Sequence, residues 1–365
     1  MNYKRIGFIG LGLIGGSLAK TIKRIYPETT LLAIASNDAT VAVAHRDGLI
    51  ENEHLIPITD LASCDVIFLC SPVMVNLRYM TVLAEFISER TIITDVGSVK
   101  GEIEKASEIL GISSHFIGGH PMAGSEKTGY KNSTDRLLEN AYYILTKNAL
   151  IPDETFNGFK EYISSLGALT LSMTPSEHDF ATAAISHLPH IISASLVNLV
   201  SEADSDNLLK TIAAGGFKDI TRISSSSPVM WQNICIENRE EILKLISMFE
   251  EQLSGFKSSI TFSNEEEILK RFSEAKEYRD SLLIKTGAVM QRIFDFYADL
   301  NDEVGGIATV AGILADEGLS IKNIGIVHNR EFAQGVLHIE MYNEDSRQSA
   351  ISILKTKNYT VYETD

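Results

Sequence analysis

The sequence predicts an α/β Rossmann-like domain, then an all-α dimerisation domain, then a C-terminal βαββαβ ferredoxin-like domain. Three observations carry this prediction. Over the first ~170 residues short β-rich runs alternate with amphipathic stretches, the pattern of a mostly parallel sheet covered by helices on both faces. From 172 to 286 apolar residues recur every three or four positions with no convincing strand, which is helical spacing. From 291 to 365 strand-like alternation returns, in an order that matches a small split βαβ module.

The elements of the first region, 1–171, follow in order. "RIGFIG", "TLLAIA", "DVIFLCSP", "RTIITDVG", "HFIGG" and "AYYILT" read as strands, each bounded by turn residues. "GGSLAKTIKRI" and "NLRYMTVLAEFISE" read as helices between them. The texture changes at "LSMTPSEHD". "SEHDFATAAISHLPHIISASLVNLVSEA" and the two long runs after it carry helical spacing, and several are too apolar to face water all round. A helix–helix homodimer interface would bury the excess. In the last region "RIFDFYADL", "SIKNIGIV", "QGVLHIEMYN" and "YTVYE" alternate as strands, and "GGIATVAGILADEG" and "SRQSAISILKTK" read as helices.

Composition narrows the function classes. The chain has 365 residues, 44% apolar and 22% charged, which is ordinary globular material. The formal net charge of −16 argues against a nucleic acid or an anionic membrane as partner. Any anionic substrate must therefore meet locally concentrated Arg, Lys or His. The three cysteines, Cys64, Cys70 and Cys235, match no metal spacing and read as free thiols in a reducing compartment. No metal site is expected. The chain opens directly on "YKRIGFIGLG", without a secretory leader, and no run approaches the ~20 apolar residues of a membrane span, so a cytoplasmic location is expected.

"GFIGLGLIGGSLAK" sets Gly10, Gly12 and Gly15 in a G-x-G-x-x-G pattern between a strand and a helix. Gly10 permits the tight turn, Gly12 lets backbone approach a pyrophosphate, and Gly15 lets helix pack on strand; the helix N-terminus supplies N–H donors for phosphates. Leu13 and Ile14 at the helix start, with Ser36 and Ser71 after the next strands, complete the candidate dinucleotide site. NAD sites usually carry an acid at the end of the second strand, but here that strand ends "IASND", with Ala35 and Ser36 at the expected position. NAD is preferred and NADP stays open, with Arg46 the nearest cation for a 2′-phosphate.

Functional loops emerge at the C-terminal ends of such strands. "TIITDVGSVK" offers Ser98 and Lys100, and "GGHPMAGSE" (118–126) offers His120 and Glu126. Gly and Pro around His120 predict a rigid irregular loop. An imidazole, with an ordinary pKa near ~6.5, suits a general base, and fixing it matters because a ~1 Å misplacement can cost ~100-fold. The plainer alternative is a histidine that packs a turn.

"VGSVKG", "GGHPMAGSE", "SHLPH" and "FKDITRI", in this order and followed by Trp231, resemble the prephenate dehydrogenase (TyrA) family over residues 3 to about 285. The resemblance implies oxidative decarboxylation of prephenate in tyrosine biosynthesis. His120 is then the base for the ring hydroxyl, and Ser98 shares its hydrogen bonding. It implies Arg222 as a carboxylate clamp, a role that the bidentate geometry of guanidinium suits. His190 is implied as a second carboxylate ligand, with Ser186, Glu126 and Trp231 around the substrate. A structural Asp219–Arg222 pair, a packing role for Trp231 and a surface carboxylate without function at Glu126 stay as alternatives, as does a His187–His190 metal pair. His178 reads as a domain-interface residue. Arogenate as substrate, a hydroxyacid dehydrogenase and a non-catalytic dinucleotide-gated sensor are the rival readings.

"ADLNDEVGGIATVAGILADEGLSIKNIGI" resembles an ACT domain, the small amino-acid-sensing module. The resemblance implies an effector site at Gly305, Gly306 and Asn323, with L-tyrosine as the expected inhibitor. The module often has Asp-x-Pro-Gly where this chain has "NDEVGG", which leaves ligand-free dimerisation as the alternative.

Overall fold

A computed structural model describes residues 3–124, 127–284, 294–299, 305–327 and 336–363. The chain divides into two compact units, Met1–Gly255 and Phe256–Asp365.

The first unit opens with β1 (Arg5–Ile9), α1 (Leu13–Ile25), β2 (Thr30–Ile34), α2 (Asp38–Arg46), β3 (Val66–Leu69), α3 (Val73–Leu83), β4 (Ile92–Asp95), α4 (Gly101–Ile109), β5 (Phe116–Pro121), β6 (Tyr142–Thr146), α5 (Asp153–Ser165) and β7 (Leu169–Met173). The sheet order is β2-β1-β3-β4-β5-β6-β7. All pairs are parallel except β5 with β6, which run antiparallel. Most residues of β1 to β6 are buried on both faces of the sheet and, with the helices, form two cores, one containing Phe8, Phe68 and Phe159, the other Ile67, Ile93 and Phe116. β7 was not among the expected strands. It is an edge strand with half-exposed and exposed side chains, so it lacks the buried apolar run that marks its neighbours.

β5 departs from expectation in an instructive way. The strand runs on through Gly118, Gly119, His120 and Pro121, which pair with Thr146, Leu145, Ile144 and Tyr143 of β6. Gly and Pro are poor strand formers, and tertiary pairing overrides them here. The glycines answer to crowding: a Cβ on Gly118 would stand 2.2 Å from Thr146 Oγ1, and one on Gly119 2.6 Å from the Asp95 carbonyl. His120 is thus held at the end of a strand, more firmly than a loop would hold it.

Helices complete the unit: α6 (Pro175–Thr182), α7 (Leu188–Ala203), α8 (Leu208–Ile212), α9 (Gly215–Thr221), α10 (Pro228–Glu237) and α11 (Arg239–Thr261), the last running on into the second unit. A capping box starts α6: the Thr174 hydroxyl accepts from Glu177 N–H, and the Thr174 N–H donates to Glu177. Between α6 and α7 lies one π-helical turn, Ala183–His187. Pro189 explains it, since a proline cannot donate to the carbonyl of Ile185 and its ring crowds that carbonyl. The wider turn relieves both.

The second unit carries α12 (Glu265–Ile284), β8 (Phe294–Asp299), α13 (Gly306–Asp316), β9 (Ile321–Val327), β10 (Val336–Met341), α14 (Glu344–Thr356) and β11 (Val361–Glu363). The four strands form an antiparallel sheet in the order β11-β8-β10-β9, the expected βαββαβ arrangement. α13 and α14 pack on it through Val310, Leu314, Ala350, Ile351 and Leu354.

Candidate active site

The strand order reverses between β1 and β3, the point at which doubly wound sheets open a ligand crevice beyond their carboxyl ends. The Gly10–Gly15 turn and Ser71 stand on either side of it. Gly10 has φ +106°, and a Cβ there would meet Ser71 Oγ at 2.7 Å. A Cβ on Gly15 would stand 2.2 Å from the Gly10 carbonyl, so only glycine lets α1 start this close to β1. Gly12 is different: nothing lies within 4 Å of its Cβ position. Backbone open to approach, at the start of a helix whose first turn has no acidic side chain, fits a pyrophosphate. Leu13 and Ile14 are the half-buried first residues of α1.

At the end of β2, Ser36 is exposed and its Oγ accepts from Asn37 Nδ2 at 3.2 Å. Asn37 caps α2 through Thr40 N–H. Asp38 is committed elsewhere, to His54 Nδ1 at 3.1 Å and Leu55 N–H at 2.8 Å. Those bonds hold its carboxyl below the ordinary range. Arg46 ends α2, about 12 Å along the helix from Asp38 at 1.5 Å per residue. Ser71 Oγ donates to the Ile9 carbonyl at 3.2 Å. Ser71 and Ser98 line one cavity of about 310 Å³ with Pro72, Val73, Gly97 and α10.

His120 is the centre of a buried polar chain. Its Nδ1 lies 2.8 Å from His178 Nε2, and His178 Nδ1 lies 2.7 Å from Asp179 Oδ1. His178, expected as a domain-interface residue, is completely buried beside the candidate base. Asp179 also accepts from the N–H groups of Lys100 and Gly101, both at 2.7 Å, and so caps α4. Below His120 a second pair does the fixing. Lys100, offered with Ser98 on a functional loop, is fully buried against Asp95 and donates to the Gly119 carbonyl at 2.8 Å. Asp95 accepts from Gly119 N–H at 3.1 Å and Gly97 N–H at 2.9 Å. The peptide groups flanking Gly119 are therefore gripped on both sides, immediately before His120.

Burial pushes the His120 pKa well below its ordinary value, and His178, Lys100 and His187 push it further. Burial also lowers His178, partly opposed by Asp179. His187 falls to about 4, chiefly from burial. It sits in the π turn, and Asn238 Nδ2 donates to its Nδ1 at 3.1 Å.

His190 donates from Nδ1 to the Ser186 carbonyl at 2.9 Å and stacks on Trp231, with ring centroids 3.8 Å apart. The two rings line a cavity of about 570 Å³ with Ile223 and Ser224, from the same turn as Arg222. Ser193 Oγ ties that turn to α7, donating to the Ile220 carbonyl at 3.1 Å and lying 2.6 Å from Ser224 Oγ. Glu126 lies outside the described residues. Gly305, at φ +90°, caps α13, Gly306 opens it, and Asn323 is exposed on β9, 3.5 Å from Glu340. The three thiols are free, and burial raises Cys64 to about 12 and also raises Cys70 and Cys235.

Asp95, Asp179 and Asn238 were not singled out in the sequence. The first had a legible signal, a carboxylate closing a buried apolar strand five residues before Lys100. Asp179 was visible only as the neighbour of His178, and Asn238 gave no signal.

Pro175–Ala203 is long and apolar enough to cross a membrane by length and composition. Its polar residues are engaged within the unit, however: His178 with β5, Asp179 with α4 and His187 with Asn238.

Residues 18–171 match the model described as prephenate dehydrogenase, nucleotide-binding domain, and 174–274 that described as prephenate dehydrogenase, dimerization domain. A prephenate dehydrogenase of Bacillus subtilis is 35% identical, over 97% of this chain and 96% of its own. The solved Aquifex aeolicus prephenate dehydrogenase, in complex with hydroxyphenyl propionate and NAD+, superposes with a TM-score of 0.72 at 32% identity. The match covers 77% of this chain and 99% of that one. A Synechocystis arogenate dehydrogenase gives a TM-score of 0.69 at 29% identity, covering 76% and 99% of the two chains.

Proposed function

Because the chain belongs to the prephenate dehydrogenase family, we propose that it converts prephenate to 4-hydroxyphenylpyruvate and carbon dioxide, with NAD as acceptor, in tyrosine biosynthesis. The observation that carries this reading is His120 at the end of β5, its Nδ1 bonded to buried His178, which leaves Nε2 for a substrate.

Gly10, Gly12, Leu13, Ile14 and Gly15 would hold the dinucleotide's pyrophosphate, with Ser36 and Ser71 beside its sugars. When bound, the nicotinamide supplies the hydride acceptor. His120 accepts the ring hydroxyl proton while positive charge builds at the ring carbon, and Ser98 shares that hydroxyl's hydrogen bonding. The bond to the ring carboxylate then breaks, its electron pair makes the ring aromatic, and the proton returns to the phenol oxygen. Prephenate thus balances 4-hydroxyphenylpyruvate, carbon dioxide and the departing hydride, and His120 ends as it began. Arg222 and His190 bind the two carboxylates, and Ser186 and Trp231 support His190. The carbonyl bond and the stacked ring around His190 support that assignment.

NAD is favoured over NADP by the Aquifex relative's complex and by the distance of Arg46 along α2. Arogenate is the second reading, since the Synechocystis relative bears that name. The test mixes the purified chain with prephenate or arogenate and with NAD or NADP, and follows absorbance of the reduced cofactor. Rapid reduction with prephenate and NAD is expected. No reduction with either substrate would overturn the reading.

The domains are read as 1–171 for dinucleotide, 172–286 for substrate and dimerisation, and 291–365 as an ACT-type module. L-Tyrosine is its proposed effector, taken at Gly305, Gly306 and Asn323. Tyrosine must then bind the less active state more tightly, since equal affinity shifts nothing. Titration against the working enzyme should lower its rate, and an unchanged rate with no heat of binding would remove the effector.

A further inference from the structure

The chain Asp179–His178–His120 admits one arrangement of protons. Asp179 already accepts from two backbone N–H groups, one on each oxygen, so its carboxylate faces donors throughout. His178 Nδ1, 2.7 Å from Oδ1, therefore carries a proton. Burial disfavours a second proton on His178, so its Nε2 presents a lone pair. The 2.8 Å contact with His120 Nδ1 then requires that nitrogen to be the donor. In neutral imidazole only one nitrogen bears hydrogen, so the lone pair of His120 falls on Nε2.

We propose that His178 and Asp179 are positioning residues that lock His120 in its Nδ1–H tautomer, making Nε2 the atom that takes the substrate's hydroxyl proton. This rests on the reading of His120 as the base. It adds what fixes the proton on Nδ1 and so keeps Nε2 free to react. The logic parallels a carboxylate that orients a catalytic imidazole, here with a second imidazole in between. The relay also meets the charge: once Nε2 is protonated, the cation faces Asp179 through His178. The other charged or titratable groups around His120 are Lys100, paired with Asp95, and His187, whose Nδ1 accepts from Asn238. Neither supplies an acceptor for His120 Nδ1.

Asp179 also caps α4, so its loss would disturb folding as well as the tautomer. The variants therefore target His178. His178→Phe keeps a ring and removes the acceptor; His178→Gln restores an oxygen that can accept from His120 Nδ1. His178→Phe should lower kcat by about 100-fold with KM and NAD affinity within a few-fold, because the wrong tautomer removes the base without emptying the site. His178→Gln should recover at least a tenth of the wild-type kcat. A folded His178→Phe enzyme within threefold of wild-type kcat would overturn the proposal, as would equal loss in both variants. Where His178→Phe fails to fold, nitrogen NMR of selectively labelled wild-type histidines decides without substrate, with the His120 signals assigned by their absence from His120→Asn. A protonated Nδ1 and a bare Nε2 are expected, and the reverse tautomer would sink the inference. That readout differs from the substrate assay above, so a wrong reaction and a wrong tautomer give separate failures.

Discussion

Burial keeps His120 neutral, the state in which an imidazole can accept a proton, and its fixed Nδ1 bond sets the ring's orientation. His120→Asn retains a polar side chain but has no basic nitrogen. Its turnover should fall by about 100-fold to 10,000-fold with little change in KM, measured by steady-state reduction of NAD. Near-normal turnover would take the base role from His120. Arg222 is assigned differently, to binding. Arg222→Ala should raise KM for prephenate by about 10-fold to 100-fold, the loss of one charge-assisted contact, and an unmoved KM would return it to a structural role. Both residues were legible as candidates in the sequence, His120 from its setting among glycines and Arg222 through the resemblance that "FKDITRI" carries. Their supporting residues were not. Asp179 acquires its meaning only when α6 meets the start of α4, and Asn238 only when the end of α10 meets His187.

At the scale of elements, the β1–α1 turn separates two duties that a glycine can have. Gly15 lies where backbone touches backbone, and Gly12 lies against open space. Gly15→Ala should lower thermal stability by several degrees, since its Cβ would stand 2.2 Å from the Gly10 carbonyl and overpacking costs about 1–3 kcal/mol. Gly12→Ala should melt like wild type yet bind NAD more weakly, by fluorescence titration. Equal melting temperatures for the two variants would break the distinction. The motif itself was readable from spacing, and which glycine answers to which demand was not. β5 makes the complementary point. Its Gly-Gly-His-Pro run reads as a loop locally, and pairing with β6 makes it a strand.

At the scale of the whole molecule, charge and exposed surface set two expectations. His187 in the fold has a pKa of about 4, against about 6.5 in an open chain, so its contribution to stability is present above pH 6.5 and is lost as pH falls toward 4. The shift corresponds to about 3 kcal/mol, with His120 and His178 acting in the same direction. Melting temperature should therefore drop steeply below pH 6.5, and His187→Asn should flatten that drop in a pH series of thermal melts. The second expectation concerns α7, which buries only Ser193 although it is rich in Leu, Ile and Val. With Leu199, Leu208 and Ile212 each more than half exposed, the helical region carries more apolar surface than water favours. Sedimentation should give twice the monomer mass, and a monomer at micromolar concentration would remove the dimer. The sequence by itself determined the fold class, most of the elements and the glycine turn, and offered His120 as a candidate, because periodicity and local steric demands are written in neighbouring residues. Only the tertiary structure decided that His120 ends a strand, that Lys100 turns inward, and that His178 and Asp179 line up behind His120 in one hydrogen-bonded chain. Those outcomes depend on partners 5 to 79 positions away, which hydrogen bonding and burial bring together only once the chain has folded.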